Sequence, residues 1–170
     1  NFGFIRSSAN VLISPDDSAS ADTTHSITIR INEQRGGSTG DIICTSTLEV
    51  TVGLFRDGEI NFVGEVPEIE PGTTGSAQIS ITNKGNGPGY FEFSILAEEP
   101  AGWSSSFYDG GNEEVVSMNS IQLEQDQSIT VFVNISVPID ALADDAVIYT
   151  VKLMQGNGDL FDQDSTSISV

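Results

Sequence analysis

The chain has 170 residues, with 25 Asp and Glu against only 6 Lys and Arg, and its formal net charge is −19. This balance argues against nucleic-acid binding and against docking on anionic membranes, because few cations are present to neutralise phosphates. No run of about 18 apolar residues occurs, so neither a transmembrane helix nor direct membrane insertion is predicted.

Alternating apolar residues dominate the chain. Six runs alternate with a period of two, which is typical of β-strands that have one buried face. Polar turn clusters separate them, and the one helix-like stretch, residues 138–146, is too short to be more than a turn on a crossover. We therefore predict an all-β, immunoglobulin-like antiparallel β-sandwich. The six runs are residues 26–32, 45–52, 77–82, 90–96, 128–134 and 148–154.

Two segments of the chain repeat each other. Residues 26–32 read SITIRIN and residues 128–134 read SITVFVN, with four identical positions. The second copy follows a full set of strand-like runs, whereas the first copy does not. We therefore predict that residues 1–54 are a partial or smaller Ig-like β segment, the tail of a preceding repeat, and that residues 55–170 are a complete sandwich.

A partial sandwich would expose an unpaired sheet edge and an apolar face. Three arrangements would cover them: the segment belongs to a longer array, it joins the second segment in one larger sandwich, or a neighbouring subunit donates a strand. We prefer the first. In a variant of the last, Phe2, Gly3, Phe4 and Ile5 form a strand that completes a neighbour's sheet, and the chain is a filament subunit.

Three glycines, Gly85, Gly87 and Gly89, follow a strand-like run and raise the question of a phosphate-binding loop. Such loops bind phosphate because they open a helix whose free N–H groups point at the anion. Here the following residues, 90–96, alternate as a strand does. We therefore predict a turn between two strands, in which Gly and Asn supply the positive φ that tight turns need.

The order of motifs in the second segment resembles the immunoglobulin-like repeats of prokaryotic surface proteins. Residues 81–87 read ITNKGNG, residues 100–103 read PAGW, and a long alternating run at residues 131–138 ends in Val-Pro. This order is similar to CARDB-type modules and to modules that accompany NPCBM domains, although residues 144–149 lack their usual Gly-Thr-Tyr run. The resemblance implies a seven-stranded sandwich that serves as a spacer, an adhesion unit or a substrate-binding accessory, without catalytic residues.

Trp103 is the only tryptophan of the chain. Residues 100–102 are expected to bend the chain so that the indole covers the core, and we prefer this interpretation because an aromatic ring buries much apolar area in a sandwich. The alternative is a ligand-binding Trp103 that stacks on a sugar ring, with Tyr90, Tyr108 or Phe132 as further platform residues. The exposure of these rings distinguishes the two interpretations.

Hydrolytic chemistry would depend on His25, the only histidine, which is expected to be solvated at the start of a strand. The second segment contains no histidine, which removes nearly all nucleophilic and zinc chemistry from it. The only cysteine, Cys44, cannot form an internal disulfide, and we expect a small buried hydrophobe there. We therefore predict that the protein is not an enzyme and has no catalytic residues.

Acidic loops are the candidate metal sites, because hard cations bind several loop oxygens. Residues 157–164 read NGDLFDQD, and residues 109–114 and 144–145 are further acidic stretches. We hypothesise that calcium binds one of these loops, with Asp159, Asp162 and Asp164 as ligands, and stiffens the module. The alternative is that these acidic turns are only solvated. No other cofactor is predicted.

Asn134 begins the sole N-glycosylation sequon, which continues with Ile135 and Ser136. The apolar residues at odd positions from Ile129 to Ile135 share one face of the predicted strand. Because that face should point inward, we expect Asn134 to point outward and to be accessible to a glycan.

These patterns and the resemblance lead us to expect a non-catalytic extracellular or cell-surface module of archaeal or marine type. It would act as a structural spacer or adhesion unit in a surface array or filament, and its acidic surface suits a secreted protein. Its partners would be neighbouring Ig-like domains or identical subunits. Two alternatives stay open: a carbohydrate- or calcium-binding accessory module, and a strand-exchanging, pilus-like filament subunit.

Overall fold

The computed structural model describes residues 10–16, 18–35, 38–66, 68–109, 114–115 and 121–170. The chain divides into two compact units, Asn1–Gly53 and Leu54–Val170. This division falls one residue before the boundary that the repeat predicts, between residues 54 and 55.

The first unit is built around a long β-hairpin. β1 (Thr24–Arg35) pairs antiparallel with β2 (Ser38–Thr51), and the register becomes irregular beyond Ile31. Because side chains alternate along a strand, this register separates an apolar face from a polar one. The apolar face consists of Ile27, Ile29, Ile31, Cys44, Leu48 and Val50 with His25 and Ser46, and the polar face of Thr24, Ser26, Thr28, Arg30, Thr45, Thr47, Glu49 and Thr51.

The second unit contains nine strands among its described residues. They are β3 (Gly58–Val63), β4 (Thr74–Asn83), β5 (Gly89–Ala97), β6 (Ser104–Tyr108), β7 (Glu114–Val115), β8 (Ile121–Leu123), β9 (Ser128–Ser136), β10 (Ala146–Gln155) and β11 (Leu160–Ser169). One antiparallel sheet has the order β3-β4-β9-β6-β7, and the other has the order β11-β10-β5-β8.

The order of the long strands is that of an immunoglobulin constant-type sandwich. When the seven strands other than the short β7 and β8 are lettered A to G in chain order, the two sheets read A-B-E-D and G-F-C. The all-β, immunoglobulin-like antiparallel sandwich predicted from the sequence is therefore confirmed.

The core of the second unit lies between its two sheets. Inward and outward positions alternate along the long strands, as in β9, where Val131 and Val133 are buried and Phe132 lies on the other side. Phe93 of one sheet packs edge to face against Phe107 of the other sheet, with ring centroids 4.9 Å apart. The side chains with the least exposure also include Ile60, Ile79, Ile81, Phe91, Leu123, Ile135, Tyr149, Val151, Leu153 and Ile168.

The alternating runs of the sequence correspond to β1, β2, β4, β5, β9 and β10, and the second run extends beyond β2 only by Val52. The helix-like stretch at residues 138–146 forms two successive turns, closed by hydrogen bonds from Ala141 N–H to Pro138 O and from Asp145 N–H to Leu142 O. The described part of the chain contains no helix long and apolar enough to cross a membrane.

Candidate functional site

The apolar face of the hairpin is covered only in part within its own unit, where Ile27, Ile29 and Val50 are half-buried. Ile31 is 56% exposed and Leu48 is 47% exposed, and Val52 is the one buried hydrophobic residue among the described residues of Asn1–Gly53. Cys44, which lies opposite Ile31, is exposed as well. The expectation of a buried Cys44 is therefore wrong, because the described residues of this unit supply no second sheet to cover the face that bears it.

A cavity of about 320 Å³ lies at the base of the hairpin. Its walls include Ile13, Ile27 and Val52, and His25 contributes an exposed imidazole, as expected of a histidine at the start of a strand. Among the described residues, no three His, Cys, Asp or Glu side chains are grouped so that they could hold a metal ion. The cavity therefore offers apolar space beside a single titratable side chain.

The glycine-rich stretch of the second unit is a turn organised by one buried amide. Asn83 is 1% exposed, and its Nδ2 donates to the carbonyl oxygens of Gly87, Leu123 and Glu124 at 2.9, 3.0 and 3.1 Å. Its Oδ1 accepts the N–H of Gly85 at 2.9 Å. This side chain therefore links the β4–β5 turn to the end of β8. The glycine-rich stretch is a turn between two strands, as predicted.

Close approach, and not positive φ, explains the glycine at position 85. Gly85, Gly87 and Gly89 all lack a positive φ, so the reason expected from the sequence is wrong. A Cβ on Gly85 would lie 2.6 Å from the carbonyl oxygen of Phe55. Two hydrogen bonds join Asn86 to Phe55. The N–H of Asn86 donates to Phe55 O at 3.1 Å, and the Oδ1 of Asn86 accepts the N–H of Phe55 at 2.7 Å. The turn therefore fixes the backbone next to Arg56.

Residues 100–103, Pro-Ala-Gly-Trp, form a tight turn that leads Trp103 into the core. Gly102 has a φ of 88°, and Trp103 N–H donates to Pro100 O at 3.1 Å, which is the pattern of a type II turn. Trp103 is 7% exposed and packs in the core of the sandwich, as the preferred interpretation predicted. Its ring is not available to stack on a sugar.

The acidic stretch at residues 157–164 is a turn followed by a strand. Asp162 and Asp164 lie in β11, where Asp162 Oδ2 accepts the N–H of Ile60 at 3.0 Å and Asp164 Oδ2 accepts the N–H of Phe62 at 2.8 Å. The expectation of one acidic loop is therefore wrong, because these two carboxylates bond backbone amides of another strand.

A third carboxylate bonds the same strand, β3: Asp57 Oδ1 accepts the N–H of Gly58 at 2.9 Å. Gly58, Ile60 and Phe62 are alternate residues of β3, so their N–H groups point away from β4. We call Asp57, Asp162 and Asp164 the carboxylate seam. It satisfies the amides at the edge of one sheet with side chains that come in part from β11, the edge of the other sheet.

Asp159 is bonded elsewhere, in the β10–β11 turn. Its Oδ2 accepts a hydrogen bond from Asn157 Nδ2 at 2.8 Å, and its N–H donates to Asn157 Oδ1 at 3.1 Å. The structure therefore does not group Asp159 with Asp162 and Asp164 as metal ligands, and calcium binding stays a prediction. Of the other acidic stretches, Asp145 Oδ2 accepts Leu142 N–H at 2.8 Å, and residues 110–113 lie outside the described residues.

Asn134 lies on the outer face of β9, opposite Ser76 of β4 and Ser106 of β6, and it is half-buried. The outward direction is the one predicted from the alternation of the strand. Glycosylation of Asn134 stays a prediction.

A groove of about 270 Å³ opens on the second unit, and of its residues only Tyr90 was predicted from the sequence as a ligand-binding candidate. Its lining combines the segment before β3, the start of β5 and the β10–β11 turn. Tyr90 is 59% exposed, whereas Tyr108 and Phe132 are half-buried. The other residues were missed because they are distant in the sequence: the pairing of β5 with β10 brings the β10–β11 turn to Tyr90, and the bonds of Asn86 to Phe55 position Arg56. The lining residues are Arg56, Tyr90, Gln155, Gly156 and Asn157.

Two titratable groups with shifted pKa values have structural roles. The hydrogen bond from Lys84, at 2.8 Å, lowers the pKa of Glu59, and a hydrogen bond from Asn61 adds to the effect. Burial raises the pKa of Tyr149, whose hydroxyl donates to Glu99 Oε1 at 3.2 Å. These side chains belong neither to the hairpin face nor to the lining of the groove.

No protein-family model matches the chain. No curated protein matches it either. Among solved structures, the chain is similar to AvmM, which catalyses macrocyclization in alchivemycin A biosynthesis, at 9% identity over 82% of this chain and 95% of that chain, with a TM-score of 0.49. It is also similar to a conjugative transposon lipoprotein from Bacteroides eggerthii, at 10% identity over 65% of this chain and 95% of that chain, with a TM-score of 0.43. A PapD-like domain of human CEP192 matches at 17% identity over 66% of this chain and 84% of that chain, with a TM-score of 0.40. We draw no functional argument from these likenesses.

Proposed function

We propose that the chain is a non-catalytic structural or adhesion module of an extracellular protein, and that it assembles with a second copy of itself through the apolar face of the hairpin. The observation that supports this proposal is the incompletely covered face, in a unit whose described residues supply no second sheet. The resemblance of the second unit to CARDB-type and NPCBM-associated repeats supports a spacer or adhesion role at a prokaryotic, archaeal or marine cell surface.

The internal repeat indicates what kind of surface would cover the hairpin face. In the alignment of residues 26–32 with 128–134, Ile31 corresponds to Val133. Val133 is 0% exposed because a second sheet packs on β9, whereas Ile31 is 56% exposed. The hairpin face therefore has the composition of a sandwich interior, and the same face of another copy is an apolar sheet surface that matches it.

The absence of charged side chains favours the apolar face of the hairpin, over other surfaces of the chain, as the contact between two copies. This face contains no Asp, Glu, Lys or Arg, in a chain whose net charge of −19 makes two copies repel each other. The apolar face runs along β1 from His25 to Ile31, so it measures about 20 Å by 10 Å, and two copies would bury about 400 Å² in total. Because specific complexes usually bury about 1,200 Å² or more, we expect weak association that salt strengthens by screening the repulsion.

Sedimentation equilibrium in about 0.15 M and about 1 M NaCl tests the proposal. We expect the average mass of the wild-type chain to rise above that of the monomer as the protein concentration increases, and to rise more in high salt. Ile31→Asp places a charge on the apolar face and should restore the monomer, whereas Thr28→Asp on the polar face should associate as the wild type does. Association of Ile31→Asp like the wild type, or a wild-type monomer at every concentration, would contradict the proposal.

Cys44 provides a second readout of the same contact. Its exposed thiol lies on the apolar face, so a thiol-specific reagent should label it rapidly in dilute protein and slowly at concentrations where copies associate. Equal labelling rates at both concentrations would contradict contact through this face.

Two further proposals have separate tests. The filament variant assigns assembly to Phe2, Gly3, Phe4 and Ile5, which lie outside the described residues; their deletion should then abolish assembly, and unchanged assembly would rule the variant out.

Calcium binding at Asp159, Asp162 and Asp164 should raise the melting temperature relative to protein in chelator. The same midpoint in both would reject it.

A further inference from the structure

We propose that the groove lined by Arg56, Tyr90 and Gln155 binds a saccharide that carries a carboxylate group. This inference is independent of the assembly proposal, because the groove belongs to Leu54–Val170 and the hairpin to Asn1–Gly53. Failure of one leaves the other in place. Three chemical groups that face one small space support the inference: an aromatic ring, a guanidinium and a primary amide.

Tyr90 supplies the surface for the sugar ring. It is the first outward-facing residue of β5, next to the buried Phe91, and it is 59% exposed. The apolar face of a pyranose packs well on such a ring, while the phenol hydroxyl at its tip stays in water. One exposed tyrosine in the groove suits one sugar unit.

Arg56 selects for a carboxylate. The chain has 25 acidic residues against 6 Lys and Arg, yet among the described residues no carboxylate forms an ion pair with Arg56. The planar guanidinium can therefore bind an incoming carboxylate through two parallel hydrogen bonds.

The backbone around these groups is fixed before any ligand arrives. Phe55, which precedes Arg56, is bonded by both the backbone and the side chain of Asn86. Gln155 is fixed by bonds from its N–H to Asp159 O at 2.8 Å and from Gly158 N–H to its own carbonyl oxygen at 2.7 Å. Fixed groups lose little entropy on binding.

The size and the remaining polar group fit one sugar. The side-chain amide of Gln155 can donate to one hydroxyl and accept from another. The volume, about 270 Å³, lies just below the range of about 300–1,000 Å³ of pockets for drug-sized ligands. We therefore expect a single acidic monosaccharide, or one such unit within a longer glycan, to bind with a dissociation constant of about 1 mM.

Nuclear magnetic resonance titration of the full chain tests the proposal, with methyl β-D-glucuronide, methyl β-D-glucoside and acetate as probes. The glucuronide should shift the amide signals of Tyr90 and Gln155 saturably. The glucoside lacks the carboxylate and acetate lacks the ring, so each should bind at least tenfold more weakly. Arg56→Gln should weaken glucuronide binding at least tenfold, and Arg30→Gln, a charge-matched change on the polar face of the hairpin, should leave it unchanged.

Each outcome decides the proposal. Tyr90→Ala should weaken glucuronide binding, whereas Leu96→Ala, a change of another exposed residue of the same strand, should not; an unchanged signal dispersion shows that each variant is folded. No saturable shift with glucuronide, or equal binding of the glucoside, overturns the proposal. Equal binding of acetate would make the groove a site for simple anions, and that result overturns it as well.

Discussion

The two units contain closely related strands in different surroundings. In the second unit, β9 lies between β4 and β6 and packs its apolar side against a second sheet, so that Val131 and Val133 are buried. In the first unit, β1 has almost the same alternation, but Ile31 is 56% exposed. The comparison shows that alternation determines which side chains share a face, while burial depends on what covers that face.

The units also differ in how their polar groups are satisfied. The second unit holds its turns and its edge with carboxamide and carboxylate side chains, among them Asn83 and the carboxylate seam. In the hairpin, Asn32 Nδ2 donates to the carbonyl oxygen of Gly40 at 3.4 Å, in an exposed position. Single substitutions should therefore have large effects in one unit and small effects in the other.

The largest contrast is expected between the two asparagines. Asn83→Ala leaves the carbonyl oxygens of Gly87, Leu123 and Glu124 and the N–H of Gly85 without their partner, and it should lower the free energy of unfolding of the second unit by about 3–5 kcal/mol. Asn32→Ala should cost less than about 0.5 kcal/mol in the hairpin. Amide hydrogen exchange measures both, because it reports on each unit separately. Similar losses at the two positions would contradict the contrast.

The repeat provides a second pair, at equivalent positions. Val133→Ala removes two buried methyl groups and should cost about 2 kcal/mol in the second unit. Ile31→Ala should cost less than about 0.5 kcal/mol in dilute protein, because the side chain is largely exposed there. Urea unfolding followed by the fluorescence of Trp103 measures the first change, and hydrogen exchange of β1 measures the second. A loss of stability in dilute Ile31→Ala would show that the face is already covered within one chain.

A smaller contrast lies within the acidic stretch. Asp164→Ala deprives the N–H of Phe62 of its acceptor and should cost about 1–2 kcal/mol. Asp159→Ala, in the exposed turn, should cost less than about 0.5 kcal/mol. Urea unfolding, carried out once in chelator and once with calcium, measures both. If Asp159→Ala is the more costly of the two, and only with calcium present, these carboxylates serve a metal and not the seam.

Much of the fold was accessible from the sequence because strand periodicity is local. The alternation of residues 128–134 predicted which side of β9 is buried, and the turn residues at 100–103 predicted how Trp103 enters the core. Local pattern did not predict the exposure of Cys44, because a missing second layer leaves no mark in the strand itself.

The candidate sites depend on contacts between residues that are far apart in the chain, and these contacts could not be predicted from the sequence. Asp162 and Asp164 were assigned to a metal loop because acidic residues cluster there, but each bonds an amide 102 residues away. Gly85 was assigned to a turn for its conformational freedom, whereas the approach of Phe55 O is what excludes a side chain there. Arg56 and Gln155 gave no local signal, since neither lies in a motif.

The carboxylate seam protects one edge of the sandwich from the addition of another strand. A strand can be added to a sheet only where the edge offers free backbone donors, and on β3 the outward N–H groups of Gly58, Ile60 and Phe62 are already bonded. An approaching strand would also meet a row of negative charge. The edge of the sandwich at β3 is therefore closed to the addition of another strand.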